Sequence, residues 1–466
     1  MNTTRTLGRG RCLDSALACL LLGLMSAVSL PAATVTLYRN TTYQTIWGFG
    51  AAANHPVKFI RNLPDSNPNK QQILDRLFGQ TDSNAGLSIV RLEINAYTSA
   101  EDPDQTTCMP APGVRDWNSD QHQRWFAQEA KNRGMNQFYA VPWSPPAWMK
   151  GTESYALPGS VNNGGHLLTS HFADFSYYMR SYVYWYKQTL GFNIRWVSIQ
   201  NEPDLATAYA SCRYTASEMN NVASLVADEL HDLASDMGWN LMVGAPEGSS
   251  RQWTQTNYLG SSTLTAATRA KLDFYPTHDY GDSENYGLTT NGKLVFNAEV
   301  CDHNVLNDAS ITDGLRWGNK IAAALKRGEP GWMYWWCVSP PGERYNQGLI
   351  NLNSDGSYTT NKRLHVMGQF SRYFRPDNIR FLASSNDSNI VSVATKAPGD
   401  GKASVVLINN STSDVPTTVN GFTTATVIVR RTSASESMTK LGDLNPSAGA
   451  VSLSLPAKSV TTLSEY

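Results

Sequence analysis

Eight short apolar runs alternate with helical stretches along the first three-quarters of this 466-residue chain, and few folds accommodate that rhythm. The runs are the Trp47 segment, Leu87 to Ile94, Gln137 to Val141, Arg195 to Gln200, Leu241 to Ala245, Leu272 to Thr277, Lys293 to Ala298 and Trp332 to Trp335. Each is too short for a helix and too uniformly apolar for a half-exposed strand, so each reads as a strand buried on both faces. Between them, segments such as Phe172 to Thr189 and Ala216 to Met237 repeat apolar residues at helical spacing. Eight such units over roughly 330 residues predict an α/β chain folded as a (β/α)8 TIM barrel.

After Phe374-Arg375-Pro376 the character changes. From Ile379 the chain is rich in Ser, Thr and Val, with short alternating strands between Gly, Asn, Asp and Ser turns. No helical period survives there, which predicts a small side β-sandwich. Thr34 to Tyr38 alternates in the same way, precedes the barrel and has no helix partner, so it is expected to join that sandwich. The expected organisation is a signal peptide over 1–33, an N-terminal strand within 34–46, a barrel over 47–376 and a C-terminal β-domain over 377–466.

The signal reading rests on Arg5, Arg9 and Arg11, the apolar stretch Ala16 to Leu30, and small residues at Pro31-Ala32-Ala33. A secreted protein, extracellular or periplasmic, is therefore expected. Cys12 and Cys19 would leave with the signal. Cys108, Cys212, Cys301 and Cys337 would remain, either in one of three disulfide pairings or as unpaired, half-buried thiols. No CxxC pair is present to suggest a structural zinc. The formal net charge of -1 gives no electrostatic footprint for nucleic acid or an anionic membrane. Neutral partners fit better, and 13 Trp and 21 Tyr offer flat faces for sugars.

In a barrel of this kind the working residues lie at the C-terminal ends of the strands. Here those ends read Arg91, Trp143, Asn201-Glu202, Glu247, His278-Asp279-Tyr280, Glu299 and Trp335-Trp336. Two buried strands that each end in a glutamate, Ile199-Gln200-Asn201-Glu202-Pro203 and Leu294-Val295-Phe296-Asn297-Ala298-Glu299, deliver two carboxylates to one rim. Glycoside cleavage requires such a pair, one to protonate the leaving oxygen and one to attack the sugar or activate water. On this reading Glu202 is the general acid/base and Asn201 a donor to the neighbouring sugar hydroxyl. Glu299 is the nucleophile, kept ionised near Arg91 and Tyr280. Glu247 competes for either role but reads as a supporting or subsite group. His278 is either a hydrogen-bonded rim histidine or a substrate contact.

The loop Trp143-Ser144-Pro145-Pro146-Ala147-Trp148-Met149-Lys150 is stiffened by two prolines and would present Trp143 and Trp148 as stacking faces, unless they cap the barrel. Strand alternation sends one of Trp335 and Trp336 inward, and Trp335 is expected to be the one. Gly48-Phe49-Gly50 lacks the third glycine and βαβ context of a nucleotide site. No metal and no organic cofactor is implied.

These motifs together resemble glycoside hydrolase family 30, in the clan of retaining barrel glycosidases. The resemblance is carried by Trp47-Gly48-Phe49-Gly50, Ser144-Pro145-Pro146 with Met149-Lys150, and Ser198 to Pro203. The Glu299 strand, Tyr334-Trp335-Trp336, Phe374-Arg375-Pro376 and Leu455 to Thr461 add to it. It implies Glu202 as acid/base and Glu299 as nucleophile, with net retention. It also implies Arg91, Trp143, Asn201, His278, Tyr280 and Trp335 as substrate contacts. Segments Trp148 to Leu167 and Ser211 to Ala216 look most like the xylanase branches. Members that require a glucuronate branch carry an arginine loop directly after the paired tryptophans, whereas here Arg344 comes late, beside Glu343. The expectation is a monomeric, secreted retaining enzyme acting on a plant cell-wall polysaccharide, foremost xylan in an endo-β-1,4 mode. β-1,6-Glucan or β-1,6-galactan are the alternatives within the family, and a non-catalytic carbohydrate-binding protein the alternative outside it.

Overall fold

The computed structural model describes residues 33–156 and 159–466, so the proposed signal lies outside the described residues except for Ala33, which opens the first strand. That strand, β1, is Ala33–Thr45. The next eight barrel strands are β2 (Gly48–Ala52), β3 (Ile89–Glu93), β4 (Phe138–Val141), β5 (Ile194–Ser198), β6 (Met242–Gly244), β7 (Phe274–His278), β8 (Leu294–Glu299) and β9 (Gly331–Ser339). Each pairs in parallel with the next, and β9 returns to pair in parallel with β2. The barrel is closed, and all eight expected strands are its staves.

Alternation along a stave explains why both faces are apolar. In β3, Val90 and Leu92 face the helical layer, while Ile89 packs in the barrel interior and Arg91 and Glu93 share its parity. The interior is filled rather than hollow. Trp47 stacks on Trp196 with centroids 5.4 Å apart, and Tyr139 stacks on Phe296 at 5.9 Å. Space for this aromatic plug comes from Gly244, where a Cβ would lie 2.6 Å from the Phe274 ring. Outside, the helix Ala216–Met237 is set by a Thr215–Glu218 capping box and ended by Gly238 at φ 65°. The helix Phe172–Tyr184 runs on through a π-helical turn, Trp185–Thr189.

The side domain is one nine-stranded, mostly antiparallel sheet that shares a single inner core from both of its ends, so it is folded into a sandwich. β1 lies inside this sheet, antiparallel to Ile379–Ser385 and parallel to Val415–Asn420. The strand Ala403–Asn409 is buried throughout. Its Val405 and Leu407 pack in the sandwich core, while Val406 and Ile408 pack with Val366 in the barrel's helical layer. One strand thus serves two cores. Cys108, Cys212, Cys301 and Cys337 are all free and buried, which selects the unpaired alternative.

Candidate active site

The C-terminal ends of the staves surround a cavity of about 740 Å³. Glu202 and Glu299 both line it, with Trp143, Tyr280, Trp335 and Trp336 among the walls. One carboxylate oxygen of Glu202 and one of Glu299 lie within 4.8 Å of each other. So close an approach of single oxygens is compatible with the roughly 5–5.5 Å group separation of a pair in which one carboxylate attacks directly.

The backbone at Glu202 is strained into place. Its φ is +43°, a left-handed conformation that costs a non-glycine residue on the order of 1 kcal/mol, and it immediately precedes Pro203. Three hydrogen bonds hold it there: Glu202 N–H to the Glu247 carbonyl at 2.8 Å, Asn201 N–H to Pro142 at 2.9 Å, and Leu205 N–H to the Glu202 carbonyl at 3.0 Å.

Beneath the two glutamates lies a charged layer with no solvent access. Arg91 Nη1 donates to Glu299 Oε2 at 2.6 Å, and Nη2 donates to Glu247 Oε1 at 2.6 Å and to Asn201 Oδ1 at 2.7 Å. Its guanidinium also stands 4.3 Å from the centroid of Trp143. Tyr139 donates to the other oxygen of Glu247. Burial alone would push the Glu247 carboxyl up, but Arg91 and His278 overcome it and bring the pKa down to about 2. Glu247 is therefore held ionised behind the site.

His278 bridges the layer, with Nδ1 3.1 Å from Glu202 Oε1 and Nε2 3.1 Å from Glu247 Oε1. Burial opposes its charge, yet Glu299, Glu202 and Glu247 together raise its pKa to about 10. An imidazolium donates from both nitrogens. Glu202, His278 and Glu299 also stand with one ligand-type atom each within 4.8 Å of the others, and a metal ion there would have to displace the proton that the three glutamates hold on His278.

The two glutamates differ in their partners. Glu299 Oε1 accepts from Tyr280 Oη at 2.8 Å and Oε2 from Arg91, whereas the Glu202 carboxylate accepts, among the described residues, from His278 alone. Burial pushes the Glu299 carboxyl up, joined by the neighbouring Glu202, while His278, Arg91 and the Tyr280 hydroxyl pull against it. A carboxylate held through both oxygens is oriented for attack; one with an oxygen left over can carry and release a proton.

Several expected contact residues sit elsewhere than on the cavity wall. Arg91 and His278 hold the carboxylates from behind, Asn201 accepts from Arg91, and none of the three lines the cavity. Trp148 is removed further: its indole donates to the Met109 carbonyl at 3.1 Å and its ring meets His171 edge-on at 5.5 Å. A 3-10 turn over Ala147–Met149 carries it there, so of the two tryptophans in the proline loop Trp143 alone reaches the cavity. Trp336, by contrast, joins Trp335. The β9–β2 register slips between Tyr334 and Trp336, and this bulge defeats strict alternation, so that both rings line the wall, stacked at 5.1 Å.

Other wall residues carry no motif: Asn54 and His55 after β2, Tyr97, Tyr209 and His303. Glu93 was legible in principle, two residues beyond Arg91 on the same strand face. Asn54 Nδ2 donates to its Oε2 at 2.6 Å, and burial, with Asp120 adding, raises its pKa to about 8. Glu93 thus meets the cavity as a neutral acid at pH 7. No Lys or Arg lines the cavity among the described residues, and Arg344 lies exposed outside it.

The profile of O-glycosyl hydrolase family 30 matches residues 32–253. That match, with the relatives below, shows the chain to be a glycoside hydrolase similar to family 30. Family 30 enzymes are retaining glycoside hydrolases, and the closed barrel with its side sheet is their fold. Among relatives, the chain is 26% identical to the glucuronoxylanase XynC of Bacillus subtilis over 453 residues, 93% of this chain and 92% of that one. It is 25% identical to the endo-1,6-β-D-glucanase neg1 of Aspergillus fumigatus over 410 residues, 81% and 80% of the two chains. Among solved structures, the catalytic domain of the family 30 xylanase C from Talaromyces cellulolyticus superposes with a TM-score of 0.78 at 25% identity, covering 92% of this chain and 99% of that one.

Proposed function

We propose that this enzyme is a secreted, monomeric endo-xylanase that cleaves uronate-free stretches of β-1,4-xylan by double displacement. The observation that carries the reaction type is the approach of the Glu202 and Glu299 carboxylates to within 4.8 Å at the cavity floor. Glu299 attacks the anomeric carbon and the bond to the leaving oxygen breaks as Glu202 delivers its proton there. Water then enters, Glu202 takes its proton, and the hydroxide oxygen displaces Glu299. Arg91 and His278 keep the two carboxylates in register throughout, with Asn201 accepting from Arg91.

Support for xylan comes from the similarity to xylanase C and XynC. Support for neutral stretches comes from the cavity wall, where among the described residues acidic groups meet no Lys or Arg that could pair a uronate. Trp143, Trp335 and Trp336 supply flat faces for pyranose rings. Secretion rests on the N-terminal basic and apolar pattern; no helix among the described residues is long and apolar enough to cross a membrane. A second reading, cleavage of β-1,6-glucan, is favoured by the similarity to neg1.

The test is incubation of the purified protein with linear arabinoxylan, glucuronoxylan, β-1,6-glucan and β-1,6-galactan, with the Glu299→Ala variant as blank and products identified by mass. Neutral xylo-oligosaccharides from both xylans are expected. Release only beside uronates would refute the neutral-stretch reading, and products from β-1,6-glucan alone would establish the second.

A further inference from the structure

At the opposite end of the barrel from the catalytic cavity, a hollow of about 290 Å³ opens between the barrel and the side sheet. Gln80, in the segment leading into β3, marks it as lying at the N-terminal ends of the staves. Its walls carry Arg372, Arg375, Arg430 and Lys440, with Tyr373 and Tyr466 beside them. Lys440 is paired with Asp443 at 3.0 Å. The three arginines have no carboxylate within 4 Å among the described residues.

What the arginines do contact is backbone. Arg372 Nη1 donates to the Asp82 carbonyl at 2.6 Å, and Arg430 Nη1 to the same carbonyl at 2.7 Å and to Met438 at 2.8 Å. Arg375 Nη1 donates to Gly86 at 2.6 Å and Ser371 at 3.0 Å. These bonds fix the guanidiniums without neutralising them. Burial lowers the pKa of Arg375 to about 10, and burial together with Arg430 lowers that of Arg372. Arg430 Nε is buried without a partner. Arg372 and Arg430 repel each other and Arg375 is desolvated beside them, and an oxyanion bound in the hollow would relieve both costs.

We infer that Arg372, Arg375 and Arg430 form an oxyanion site, remote from the catalytic cavity, that takes the carboxylates of an acidic polysaccharide. The tyrosines suit this class, since a sugar ring that brings a carboxylate to the guanidiniums can lie against an aromatic face. The division of labour is chemical: the cavity, with no Lys or Arg on its wall among the described residues, accepts neutral sugar, and the far hollow holds the charged decoration or companion polymer of the same material. The inference does not depend on which backbone the cavity cuts.

The probe is polygalacturonate, whose α-linkages a retaining β-glycosidase leaves intact, cast into a native gel beside a dextran gel. The full chain should be retarded by polygalacturonate and not by dextran, and the double variant Arg372→Gln, Arg430→Gln should lose about tenfold in apparent affinity. Its unfolding midpoint shows whether it is folded. Should it fail to fold, the wild-type protein still decides the matter, because retardation at this site must fall with added salt and be competed by inorganic phosphate. Phosphate that protects against heat while polygalacturonate does not retard would overturn the polysaccharide assignment in favour of a small anion. Equal retardation of variant and wild type, or neither retardation by polygalacturonate nor protection by phosphate, would overturn the site.

Discussion

Arg91 and Glu247 form an ion pair in which neither side chain is exposed at all, Nη2 to Oε1 at 2.6 Å. Such a pair is a weak source of net stability when intact but is costly to break from one side, because the remaining charge stays buried. Glu247→Ala should therefore destabilise the fold by about 3–5 kcal/mol in urea titration, and leave Arg91 and His278 sharing only Glu299 and Glu202. A loss below about 1 kcal/mol would mean that the layer rearranges and is not the rigid floor described above.

Stability should also fall on the alkaline side. His278 has its folded pKa raised to about 10 from 6.5, so its ion pairs contribute fully below 6.5 and are lost as pH rises through 10. Unfolding free energy measured from pH 6.5 to 10 should decline, and His278→Gln should flatten that decline while lowering stability near neutrality. A variant with the wild-type slope would show that another group titrates there.

Activity should fail on the acid side earlier than an ordinary glutamate would require. Glu299 must be ionised to attack, and its pKa is raised, chiefly by burial. The acid limb of kcat/KM against pH should lie above the usual 4.5, and Tyr280→Phe, which removes a hydrogen bond that lowers it, should move the limb further up. A downward movement would contradict the assignment of Tyr280.

The two glutamates can be told apart by rescue with azide. Either alanine variant should lose roughly 10²–10⁴-fold or more in turnover. In Glu202→Ala the azide enters after Glu299 has attacked and should yield a product of retained configuration. In Glu299→Ala it replaces the nucleophile and should yield the inverted one. Nuclear magnetic resonance of the anomeric proton reads the difference, and the reverse pairing would exchange the roles.

The barrel was legible because a stave buried on both faces must be apolar throughout, and a closed sheet of eight leaves such runs at regular intervals. The glutamates were legible because a polar group that ends a run of that kind has only the rim to occupy. Trp148 was not. Two prolines show that its loop is stiff, yet the turn after them decides which way the indole faces, and that depends on Met109 and His171. Trp336 was hidden by the β9 bulge, since alternation holds only where the register is unbroken. Asn54, His55 and Tyr209 come from loops whose course is set by packing between distant segments.

The position of β1 has a consequence for synthesis. Its partners, Ile379–Ser385 and Val415–Asn420, are made more than 330 residues later. At ordinary elongation rates of about 5–20 residues per second, the first strand waits on the order of 20–80 seconds for a neighbour. Until then it is an exposed strand with both edges open. The chain is thus a clasp whose two halves are forged at opposite ends, and it cannot be fastened before nearly the whole protein has been made.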